Sequence, residues 1–416
     1  MASMPNVQKG RALYEKLGSP KTFLAPMVDA SELAWRKLCR KYGADICYSP
    51  MYHARLFGTT ESYRKQQLCD EDYTENDKPL VIQFCSNKPN ELVDAVKLVK
   101  NKCDAVDLNL GCPQGIARKG HYGAFLMDEW ELVASLIGAV NKEVPEVPIT
   151  AKIRVFEDRQ KTLAYAKSIL QAGAWWLTVH GRTREMKGQQ TGLADWSQIK
   201  FLRDELPSEV VLIANGNIIY KRNIEESINA TGADAVMIAE TALSYPAIFA
   251  KPAADEPSLD DFPRVDHVLR EYFDIVKATD GHASVVSLKT HMFKLLRTFF
   301  IKEVEIRNKL GPLKSGELDK FEVIVKEIED RVNHIVNSEP ENDVITPNGD
   351  YLNVPYWRIQ PLFRVVNGVA SNGEVRSAEK AKKGSTTDSN DEKIEKRKAS
   401  DDTAESSPEH KKPKID

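Results

Sequence analysis

The feature that most constrains the fold is a series of eight short apolar runs between residues 22 and 239 of the 416-residue chain. Each run has three to five residues and is nearly continuously apolar. Such runs are typical of parallel strands that are covered on both faces. The runs are Thr22–Ala25, Ile46–Tyr48, Leu80–Phe84, Ala105–Asn109, Ile149–Ile153, Trp176–His180, Val211–Asn215 and Ala235–Ala239. Parallel strands need crossover connections, which are usually helices.

Helical patterns lie between most of these runs. They cover Ser31–Lys41, Asn90–Asn101, Glu129–Val140 and Asp158–Gln171. Eight strand–helix repeats of this length predict an α/β fold, a (β/α)8 TIM barrel, over residues 20–260, preceded by a lead-in at 1–19. A doubly wound open sheet is the competing arrangement. It is disfavoured because no G-x-G-x-x-G follows the first run.

The strand pattern stops after about residue 260 and a helical pattern replaces it. Residues 261–338 are therefore predicted to form a smaller all-α domain. Within it, the stretch Gly281–Lys309 carries six Lys or Arg residues against two Glu residues, although the whole chain has a net charge of −3. This local excess predicts one basic face, on which Lys289 and Arg297 are candidate contacts to the phosphates of an RNA substrate. Residues 339–369 are predicted to form an extended arm that packs back on the molecule.

The last 47 residues, 370–416, form a charged tail that is predicted to be disordered. They hold 11 Lys or Arg residues, 11 Asp or Glu residues and no aromatic one, so they cannot bury enough apolar surface to offset chain entropy. The tail contains two basic clusters, Lys396-Arg397-Lys398 and Lys411-Lys412-Pro413-Lys414. Their spacing suits a two-part nuclear-import signal, and a solvated tail of mixed charge is the alternative. We therefore expect a cytoplasmic or nuclear location, or both.

Composition excludes several other classes of protein. The six cysteines form no C-x-x-C pair, which argues against a disulfide scaffold and against an obvious zinc site. No apolar run approaches the length of a membrane span, and the first residues lack the apolar core of a signal peptide. We therefore expect a soluble protein in a reducing compartment, with no metal and no membrane partner.

Polar or reactive residues lie at or directly after the ends of most of the eight runs. In a barrel the carboxyl ends of the strands meet at one rim, where active sites lie. The rim segments are Pro26-Met27-Val28-Asp29, Gln83, Asn109-Leu110-Gly111-Cys112-Pro113, Lys152-Ile153-Arg154, His180-Gly181-Arg182, Asn215-Gly216-Asn217 and Ala239-Glu240. A barrel with only a structural role has no reason to place such residues in succession at one rim, so we expect a ligand there.

These rim side chains suit a planar heteroaromatic ring that carries a phosphate. Gln83 offers an amide, Lys152 a cation and His180 a second tunable donor. The turn Asn215-Gly216-Asn217 and the pair Ala239-Glu240 follow the seventh and eighth runs, where barrels bind phosphate through backbone N–H groups. Flavin mononucleotide (FMN) is the natural candidate. Lys152 beside the N1 edge of its ring would stabilise the anionic reduced form.

Cys112 lies in a loop after the fourth run, so its thiol is predicted to point into the barrel mouth. A thiol there can deliver a proton on the face opposite a hydride donor, which is general-acid chemistry. No histidine adjoins it in sequence to activate it as a nucleophile. The other cysteines are predicted to be packing residues, because free cysteine is commonly buried as a small apolar side chain. On the same rim, Asn109, Arg154 and Arg182 are candidate substrate contacts.

Several segments together resemble the dihydrouridine synthase family. The most specific is VDLNLGCPQGIARKGHYGAFL at 106–126, which contains the Asn-x-Gly-Cys-Pro signature of that family. The others are FLAPMVDASELAWRKLCRKYGADICYSPM, VIQF, AKIRVF, TVHGRTREMKGQQTGLADW and IANGNI. The resemblance covers about residues 20–338, which is most of the chain that is predicted to fold.

The resemblance implies an enzyme that reduces the C5–C6 double bond of uridines in the D loop of cytoplasmic tRNA, at positions 16 and 17. In this family NADH or NADPH reduces FMN, hydride passes to C6, and the signature cysteine, here Cys112, protonates C5. The family's FMN positions correspond to Pro26, Met27, Val28, Gln83, Lys152, His180, Asn215, Gly216, Asn217, Ala239 and Glu240. The C-terminal helical domain of the family binds tRNA, which agrees with the basic stretch at 281–309.

The chain departs from the family pattern at two places. Many members have Gly-Arg where this chain has Ala239-Glu240. The change is harmless if backbone amides bind the phosphate, and it weakens binding if a side-chain cation is needed. Many members also have Asn-Gly-Asp where this chain has Asn215-Gly216-Asn217, a milder change because Asn keeps the turn propensity.

Two other functions fit part of the pattern. A small-molecule FMN reductase would use the same rim but would not need a basic helical domain. An RNA-binding chaperone on an inactive barrel would not need a flavin. For the main interpretation we expect tRNA and NAD(P)H as partners and a monomeric protein.

Overall fold

In the computed structural model the chain forms a closed barrel of eight parallel strands, with β1 hydrogen-bonded to β8. The structure describes residues 3–370 except 68–76, 189–190, 253–256, 280–282, 349–350, 363–364 and 367–368. The barrel strands are β1 Thr22–Leu24, β2 Ile46–His53, β3 Leu80–Cys85, β4 Ala105–Leu110, β5 Ile149–Arg154, β6 Trp176–His180, β7 Val211–Asn215 and β8 Ala235–Ile238. The predicted (β/α)8 TIM barrel is confirmed.

Helices cover the outside of the barrel. They are α1 Val7–Lys16, α2 Leu33–Lys41, α3 Ala54–Thr59, α4 Glu61–Gln67, α5 Pro89–Val99, α6 Gly115–Gly120, α7 Trp130–Glu143, α8 Arg159–Gln171, α9 Trp196–Glu205, α10 Arg222–Thr231 and α11 Glu240–Ser244. The first helix precedes β1 and closes the amino-terminal end of the barrel. Its Tyr14 packs with the side chains that fill the interior and donates a hydrogen bond to the Pro20 carbonyl at 2.9 Å.

Alternate residues of each strand point into the barrel, as the pleat of a strand requires. Toward the amino-terminal end the inward side chains are apolar, for example Ala105 on β4 and Val211 on β7. Toward the carboxyl end they become polar, and on β4 the two inward residues after Ala105 are Asp107 and Asn109. Because the interior is apolar at one end and polar at the other, a polar ligand can be accommodated only at the carboxyl end.

The largest difference from the predicted strands is in β2. The apolar run ends at Tyr48, but the strand continues to His53 after an irregularity in its pairing between Tyr48 and Met51. The first and last strands each end one residue earlier than predicted. The helix that was expected to start at Asn90 begins at Pro89, since proline is favoured in the first turn of a helix.

Among the described residues after the barrel, five α-helices follow: α12 Val265–Ala278, α13 Val285–Leu295, α14 Phe299–Lys302, α15 Val304–Leu310 and α16 Leu318–Ser338. The predicted helical character of this region is confirmed, whereas the domain bounds stay predictions. The region is docked on the barrel through α2. There, the rings of Trp35 on α2 and Tyr272 on α12 have centroids 5.2 Å apart in an edge-on arrangement.

The segment after α16 runs back over the helical region. It contains two short antiparallel pairs, β9 Thr346–Asn348 with β10 Tyr351–Asn353 and β11 Val365–Val366 with β12 Val369–Ala370. Trp357 is buried, and its carbonyl accepts a hydrogen bond from the backbone of Val265 at 2.9 Å. Arg358 binds Asp343 with Nη2 2.6 Å from Oδ2. These contacts fix the segment to the start of α12.

No helix in the described residues is both long and apolar enough to cross a membrane. The same part of the chain holds no group of three or more His, Cys, Asp or Glu side chains that could bind a metal ion. Apart from Ala370, the charged tail with both of its basic clusters lies outside the described residues, so the expected import signal stays a prediction.

Candidate active site

The carboxyl ends of the central strands bring their polar inward side chains to one level of the barrel mouth. Strand register pairs Asn109 of β4 with Lys152 of β5. It also pairs His180 of β6 with Asn215 of β7. Residues paired in register on neighbouring parallel strands lie side by side. Between these two pairs, Arg154 of β5 is in register with His180, so polar residues of β4 to β7 line the rim.

A cavity of about 440 Å³ opens at this rim above β6, β7 and β8. It is lined by Pro26, Gln114, Arg154, His180, Arg182, Thr191, Gly192, Asn215, Gly216, Asn217, Ile218, Ile219, Met237, Ile238, Ala239, Glu240, Thr241 and Leu362. Seven of the predicted cofactor residues are in this lining, together with two predicted substrate contacts, Arg154 and Arg182. The position is the one at which barrels of this class bind phosphate.

Four of the predicted cofactor residues are not in the lining of this cavity: Met27, Val28, Gln83 and Lys152. Gln83 is fully buried inside the barrel, whereas Val28 is 58% exposed. Met27 packs partly against the core between the barrel and the helical region. The structure thus places seven of the predicted residues around the cavity and two, Gln83 and Lys152, on inward positions of the barrel strands, whereas Met27 and Val28 belong to neither group. Their assignment to a cofactor stays a prediction.

The turn after β7 adopts a backbone conformation that its residue types permit. Gly216 has φ +118°, and a Cβ there would lie 2.5 Å from the Cβ of Ala194, so only glycine fits. Asn217 has φ +63°, a left-handed conformation that asparagine tolerates. Its side chain bonds both backbone groups of Ala194, at 2.9 Å to the N–H and 2.7 Å to the carbonyl. The turn is therefore rigid, and its backbone borders the cavity.

A guanidinium group fixes the protonation state of the histidine at this rim. Nη1 of Arg182 lies 2.9 Å from Nε2 of His180, and Nη2 donates to Oδ1 of Asn217 at 3.2 Å. Because Arg can only donate, Nε2 of His180 must accept and the ring proton lies on Nδ1. Burial, together with the charges of Lys152, Arg154 and Arg182, holds the pKa of His180 well below its usual value. His180 is therefore a neutral donor.

A partly buried lysine and a buried carboxylate influence each other's ionisation inside the mouth. Burial lowers the pKa of Lys152 to about 8, helped by the Arg154 charge and opposed by Asp107 and Cys112. Burial raises the pKa of Asp107 to about 6, opposed by hydrogen bonds from Thr150 and Gln83 and by the charge of Lys152. Among the described residues, no group hydrogen-bonds the Nζ of Lys152. A largely desolvated ammonium without a hydrogen-bond partner is costly, so this position favours an anionic or electron-rich ligand.

The loop that carries Cys112 is anchored from several sides. The carboxamide oxygen of Asn109 accepts the N–H groups of Gly111, at 3.1 Å, and of Cys112, at 2.9 Å. The carbonyl of Cys112 accepts the N–H of Ala124 at 3.0 Å. Lys187 donates to the carbonyl of Pro113 at 3.2 Å. These bonds hold the backbone at Cys112 in position, and the residue is partly exposed.

Gly123 allows the close packing of this loop. It has φ +66°, and a Cβ at this position would lie 2.8 Å from the carbonyl oxygen and 3.0 Å from the Cβ of Cys112. No other residue type provides both that backbone conformation and that approach. The segment after the signature therefore supports Cys112 directly.

Arg154 contributes to the same loop from β5. It is 7% exposed, and its Nε donates to the Gly111 carbonyl at 2.9 Å. Its Nη1 donates to the carbonyls of Thr183, at 2.6 Å, and Met186, at 2.9 Å. Arg154 therefore ties the Cys112 loop to the loop after β6. A contact from this buried side chain to an RNA phosphate stays a prediction.

The helical region approaches the rim through α13. Nζ of Lys294 lies 3.6 Å from Oε1 of Glu240, at the edge of the cavity. Arg297, in the turn after α13, is exposed, and Lys289 is partly exposed and donates to the Gly311 carbonyl at 2.7 Å. Lys294 of the predicted basic stretch is thus next to the cavity, whereas a single basic face and its contact with a substrate stay predictions.

Sequence reasoning did not single out Asp107, Gly123 or Leu362. A signal for Asp107 was present, because a carboxylate in the middle of a buried strand needs a specific partner. No local pattern separates Gly123 from other loop glycines. Leu362 reaches the cavity from the end of the chain segment that follows α16, a long-range contact that periodicity cannot predict.

The fold and the site define the class of the protein: a (β/α)8-barrel enzyme whose site lies at the carboxyl ends of the strands. The family model for dihydrouridine synthase (Dus) matches residues 23–329, which is well over half of the chain. The chain belongs to the dihydrouridine synthase family, and the resemblance seen in its sequence is confirmed.

Curated relatives match nearly the whole folded chain. The tRNA-dihydrouridine(16/17) synthase [NAD(P)(+)] of Saccharomyces cerevisiae is 50% identical over 378 residues, covering 88% of this chain and 89% of the relative. The protein of the same name from Schizosaccharomyces pombe is 45% identical, and the match covers 85% of this chain and 90% of the relative. The tRNA-dihydrouridine(16/17) synthase [NAD(P)(+)]-like protein of Mus musculus is 39% identical and covers 87% and 72%.

Proposed function

We propose that this chain is an FMN-dependent reductase that converts uridines 16 and 17 of cytoplasmic tRNA to 5,6-dihydrouridine, with NADH or NADPH as the reductant. The observation that carries the proposal is the anchored loop of Cys112 beside Lys152 and the rim cavity. The yeast relatives are named for positions 16/17 and for NAD(P)(+), and this chain spans most of their length. That coverage supports the same positions and reductant here.

The rim residues fit FMN in their chemistry. The partly buried ammonium of Lys152 lacks a hydrogen-bond partner among the described residues, and an electron-rich edge of a flavin ring would supply one. The rigid turn 215–217, the backbone at Ala239-Glu240 and the guanidinium of Arg182 border one cavity and would hold the phosphate. Neutral His180 would donate from Nδ1. The chemistry that bound FMN supplies is hydride transfer, taken from NAD(P)H and given to C6 of the uracil ring.

Cys112 holds the proton that the reaction needs. Saturation of the C5–C6 bond consumes one hydride at C6 and one proton at C5, and the oxidised product of the reductant is NAD(P)⁺. The thiol of Cys112 gives its proton to C5 as a general acid and regains one from solvent. Asn109 and Gly123 fix the backbone at Cys112, so the thiol is held at one point of the mouth.

The basic face of the helical region would bind the rest of the tRNA. A pyrimidine in a folded loop must leave its stack to reach the barrel mouth, at a cost of a few kcal/mol. Phosphate contacts from exposed cations such as Arg297 offset that cost and set which base arrives. The proximity of α13 to the cavity, through Lys294 and Glu240, supports this arrangement.

The test is to purify the full chain and record its visible absorbance, and then to incubate it with NADH or NADPH and tRNA that lacks dihydrouridine. We expect the absorbance bands of oxidised flavin and the appearance of dihydrouridine at positions 16 and 17, mapped by mass spectrometry. A protein that binds tRNA but takes up no FMN would instead be an RNA chaperone. A yellow protein that reduces small pyrimidines or quinones but no tRNA would be a small-molecule reductase. Either result would refute the proposal.

A further inference from the structure

A chain of hydrogen bonds connects a buried carboxylate to the Cys112 loop. Nε2 of Gln83 donates to Oδ2 of Asp107 at 2.8 Å, and Oε1 of Gln83 accepts from Nδ2 of Asn109 at 2.8 Å. Oδ1 of Asn109 then accepts the N–H groups of Gly111 and Cys112. In each of the two amide side chains, therefore, the NH₂ group donates to one neighbour and the oxygen accepts from the other. We call this chain, from Asp107 through Gln83 and Asn109 to the two backbone N–H groups, the amide relay.

The direction of the amide relay is determined by its two ends. At the loop end, backbone N–H groups can only donate, so Asn109 must present its oxygen to them and its NH₂ to Gln83. Gln83 must then present its oxygen to Asn109 and its NH₂ to residue 107. At that end Asp107 accepts, as an ionised carboxylate does. If the group at 107 could not accept, one of the two amides would have to turn or lose a bond, and the Cys112 loop would lose its anchor.

The burial of the amide relay makes this orientation important for stability of the loop. Gln83 is 0% exposed, Asp107 1% and Asn109 8%, so water cannot replace a lost partner. A buried donor without an acceptor costs more than the net gain of an average hydrogen bond. The second oxygen of Asp107 is held separately by Thr150, whose hydroxyl donates to Oδ1 at 2.6 Å. One oxygen of Asp107 is thus held by Thr150, and the other accepts the hydrogen bond from Gln83 that sets the direction of the relay.

We propose that Asp107 is a positioning residue for the proton donor, which acts through Gln83 and Asn109 by accepting a hydrogen bond and so setting the direction of both amides. The inference rests on the proposed function only in giving Cys112 its role as proton donor. Asp107 is 1% exposed, and its carboxylate bonds Gln83 and Thr150, so we expect it to act through the relay.

The relay predicts which substitutions release the loop. Asp107→Leu removes the acceptor with a side chain of similar shape, so Gln83 loses its partner and the loop should open about tenfold more often. Asp107→Asn should keep the loop closed. Asn at 107 can accept from Gln83 through Oδ1 and donate to Thr150, whose hydroxyl can turn to the Val106 carbonyl, 3.3 Å away. The acceptor, and not the charge, is what the loop requires.

A paired exchange tests the direction itself. The double variant Gln83→Glu and Asp107→Asn moves the carboxylate from position 107 to position 83, which is the next member of the relay. The new Asn donates to the new Glu, which still accepts from Asn109, so the loop should stay closed although two buried residues have changed. A role in packing alone predicts instead that the two changes disturb the loop at least as much as either alone. Thr150→Val is the matched control, because it removes the other bond to Asp107 and leaves the relay intact.

The measurement is the rate of Cys112 alkylation by iodoacetamide, followed by mass spectrometry, with amide hydrogen exchange of the peptide around residues 109–114. Both are recorded on the full chain, with saturating FMN and again after dialysis to remove flavin. Because Gln83 is one of the predicted FMN residues, the flavin-free rates decide for the variants of Gln83. We expect rates within about twofold of wild type for Asp107→Asn, Thr150→Val and the paired exchange, and about tenfold faster rates for Asp107→Leu. Should Asp107→Leu fail to fold, Gln83→Met takes its place with the same expectation.

The proposal is overturned if Asp107→Leu, or its replacement, leaves Cys112 as protected as in wild type. It is also overturned if the folded paired exchange releases the loop as much as Asp107→Leu does, or if Thr150→Val does so. Neither readout uses tRNA or NAD(P)H. A failed relay and a failed tRNA-reductase assignment are therefore distinguishable.

Discussion

His291 of the helical region stacks on Trp35 of the barrel, with ring centroids 3.8 Å apart and planes inclined by 10°. The same imidazole places Nε2 2.9 Å from Oε2 of Glu32, in the segment that leads from β1 into α2. Tyr272 donates to the other oxygen of Glu32 at 3.1 Å. The helical region is thus attached to the segment that begins at Pro26, one of the proposed FMN residues, so the two halves of the proposed site have a fixed relative position.

Glu32→Gln should weaken this junction. His291 is 0% and Glu32 12% exposed, so the pair is poorly screened. Loss of a charged hydrogen bond in such a place costs about 2 kcal/mol of unfolding free energy, measured by denaturant titration at neutral pH. The exposed pair Glu61–Lys65 supplies the control: Glu61→Gln should leave the unfolding curve unchanged. Equal curves for Glu32→Gln and wild type would show that the pair does not stabilise the junction.

The loss of stability in Glu32→Gln should also depend on pH. Burial raises the pKa of Glu32, but His291 and Tyr272 outweigh it and hold the pKa below its usual value. A carboxyl group whose pKa is lower in the folded state stabilises the fold above its unfolded pKa, about 4.3, and loses that contribution as pH falls through the folded value. The difference between wild type and Glu32→Gln should therefore shrink in acid. A difference that grows below about pH 4 would contradict this account.

Gly123→Ala should disturb the Cys112 loop. The new Cβ would lie 2.8 Å from the Cys112 carbonyl, on a residue with φ +66°. We expect a loss of about 1–3 kcal/mol in stability and a larger relative loss in turnover on tRNA, because the loop must shift. Gly115→Ala is the matched control, since a Cβ at Gly115 meets nothing within 4 Å. If the two variants had the same turnover, the position of Cys112 would not limit the rate of uridine reduction.

Lys152 should give FMN binding a pH dependence. Burial, with help from the Arg154 charge, lowers the pKa of Lys152 to about 8, so the free protein loses this cation as pH rises above that value. If FMN binds only when Lys152 is protonated, binding above that pH requires the lysine to take up a proton. The dissociation constant for FMN should therefore rise up to tenfold per pH unit above about pH 8. Flavin fluorescence at a series of pH values measures it.

Two variants separate the charge of Lys152 from its bulk. Lys152→Met should bind FMN weakly at every pH and show no inflection near pH 8, the value to which burial lowers the Lys152 pKa. Lys152→Arg should keep the charge and remove the inflection, because Arg does not deprotonate in this range. If Lys152→Met binds FMN as tightly as wild type, the lysine has no part in the flavin site.

Arg297→Ala should weaken tRNA binding without changing FMN content. Arg297 is exposed next to α13, at the side of the helical region that reaches the cavity. Loss of one phosphate contact should reduce the slope of log affinity against log salt by about 1, measured by filter binding. Lys142→Ala, an exposed change in the last turn of α7 at the other end of the barrel, should leave the slope unchanged. Equal slopes in all three proteins would place the tRNA elsewhere.

The barrel could be predicted from the sequence because its strands are short, apolar on both faces and regularly spaced. The rim followed from the same pattern, since most of the strands end at or near a polar residue such as His180 or Asn215. The family signature around Cys112 added the chemistry. These features are local in sequence, and the structure keeps them within a residue or two, except for the extended end of β2.

The arrangement of partners within the site could not be predicted, because it depends on strand register. Arg154 is a predicted RNA contact, but the sequence did not predict its register with His180 or the hydrogen bonds to three carbonyls that tie it to two loops. Asp107 belongs to a run that looks apolar as a whole, and only the inward alternation on β4 brings it to Gln83. The periodicity of apolar residues predicts which side chains are buried, but not which of them contact each other.

The most direct test of the account is a single turnover of Cys112→Ala. The variant protein, loaded with FMN and reduced by NADPH without air, is mixed with tRNA that lacks dihydrouridine, and both flavin reoxidation and dihydrouridine are followed. We expect a normal visible spectrum and normal reduction by NADPH, but product formation slower than in wild type by about 10²- to 10⁴-fold. A variant that forms dihydrouridine at the wild-type rate would contradict the role of Cys112. A wild-type chain that takes up no FMN would contradict the whole site.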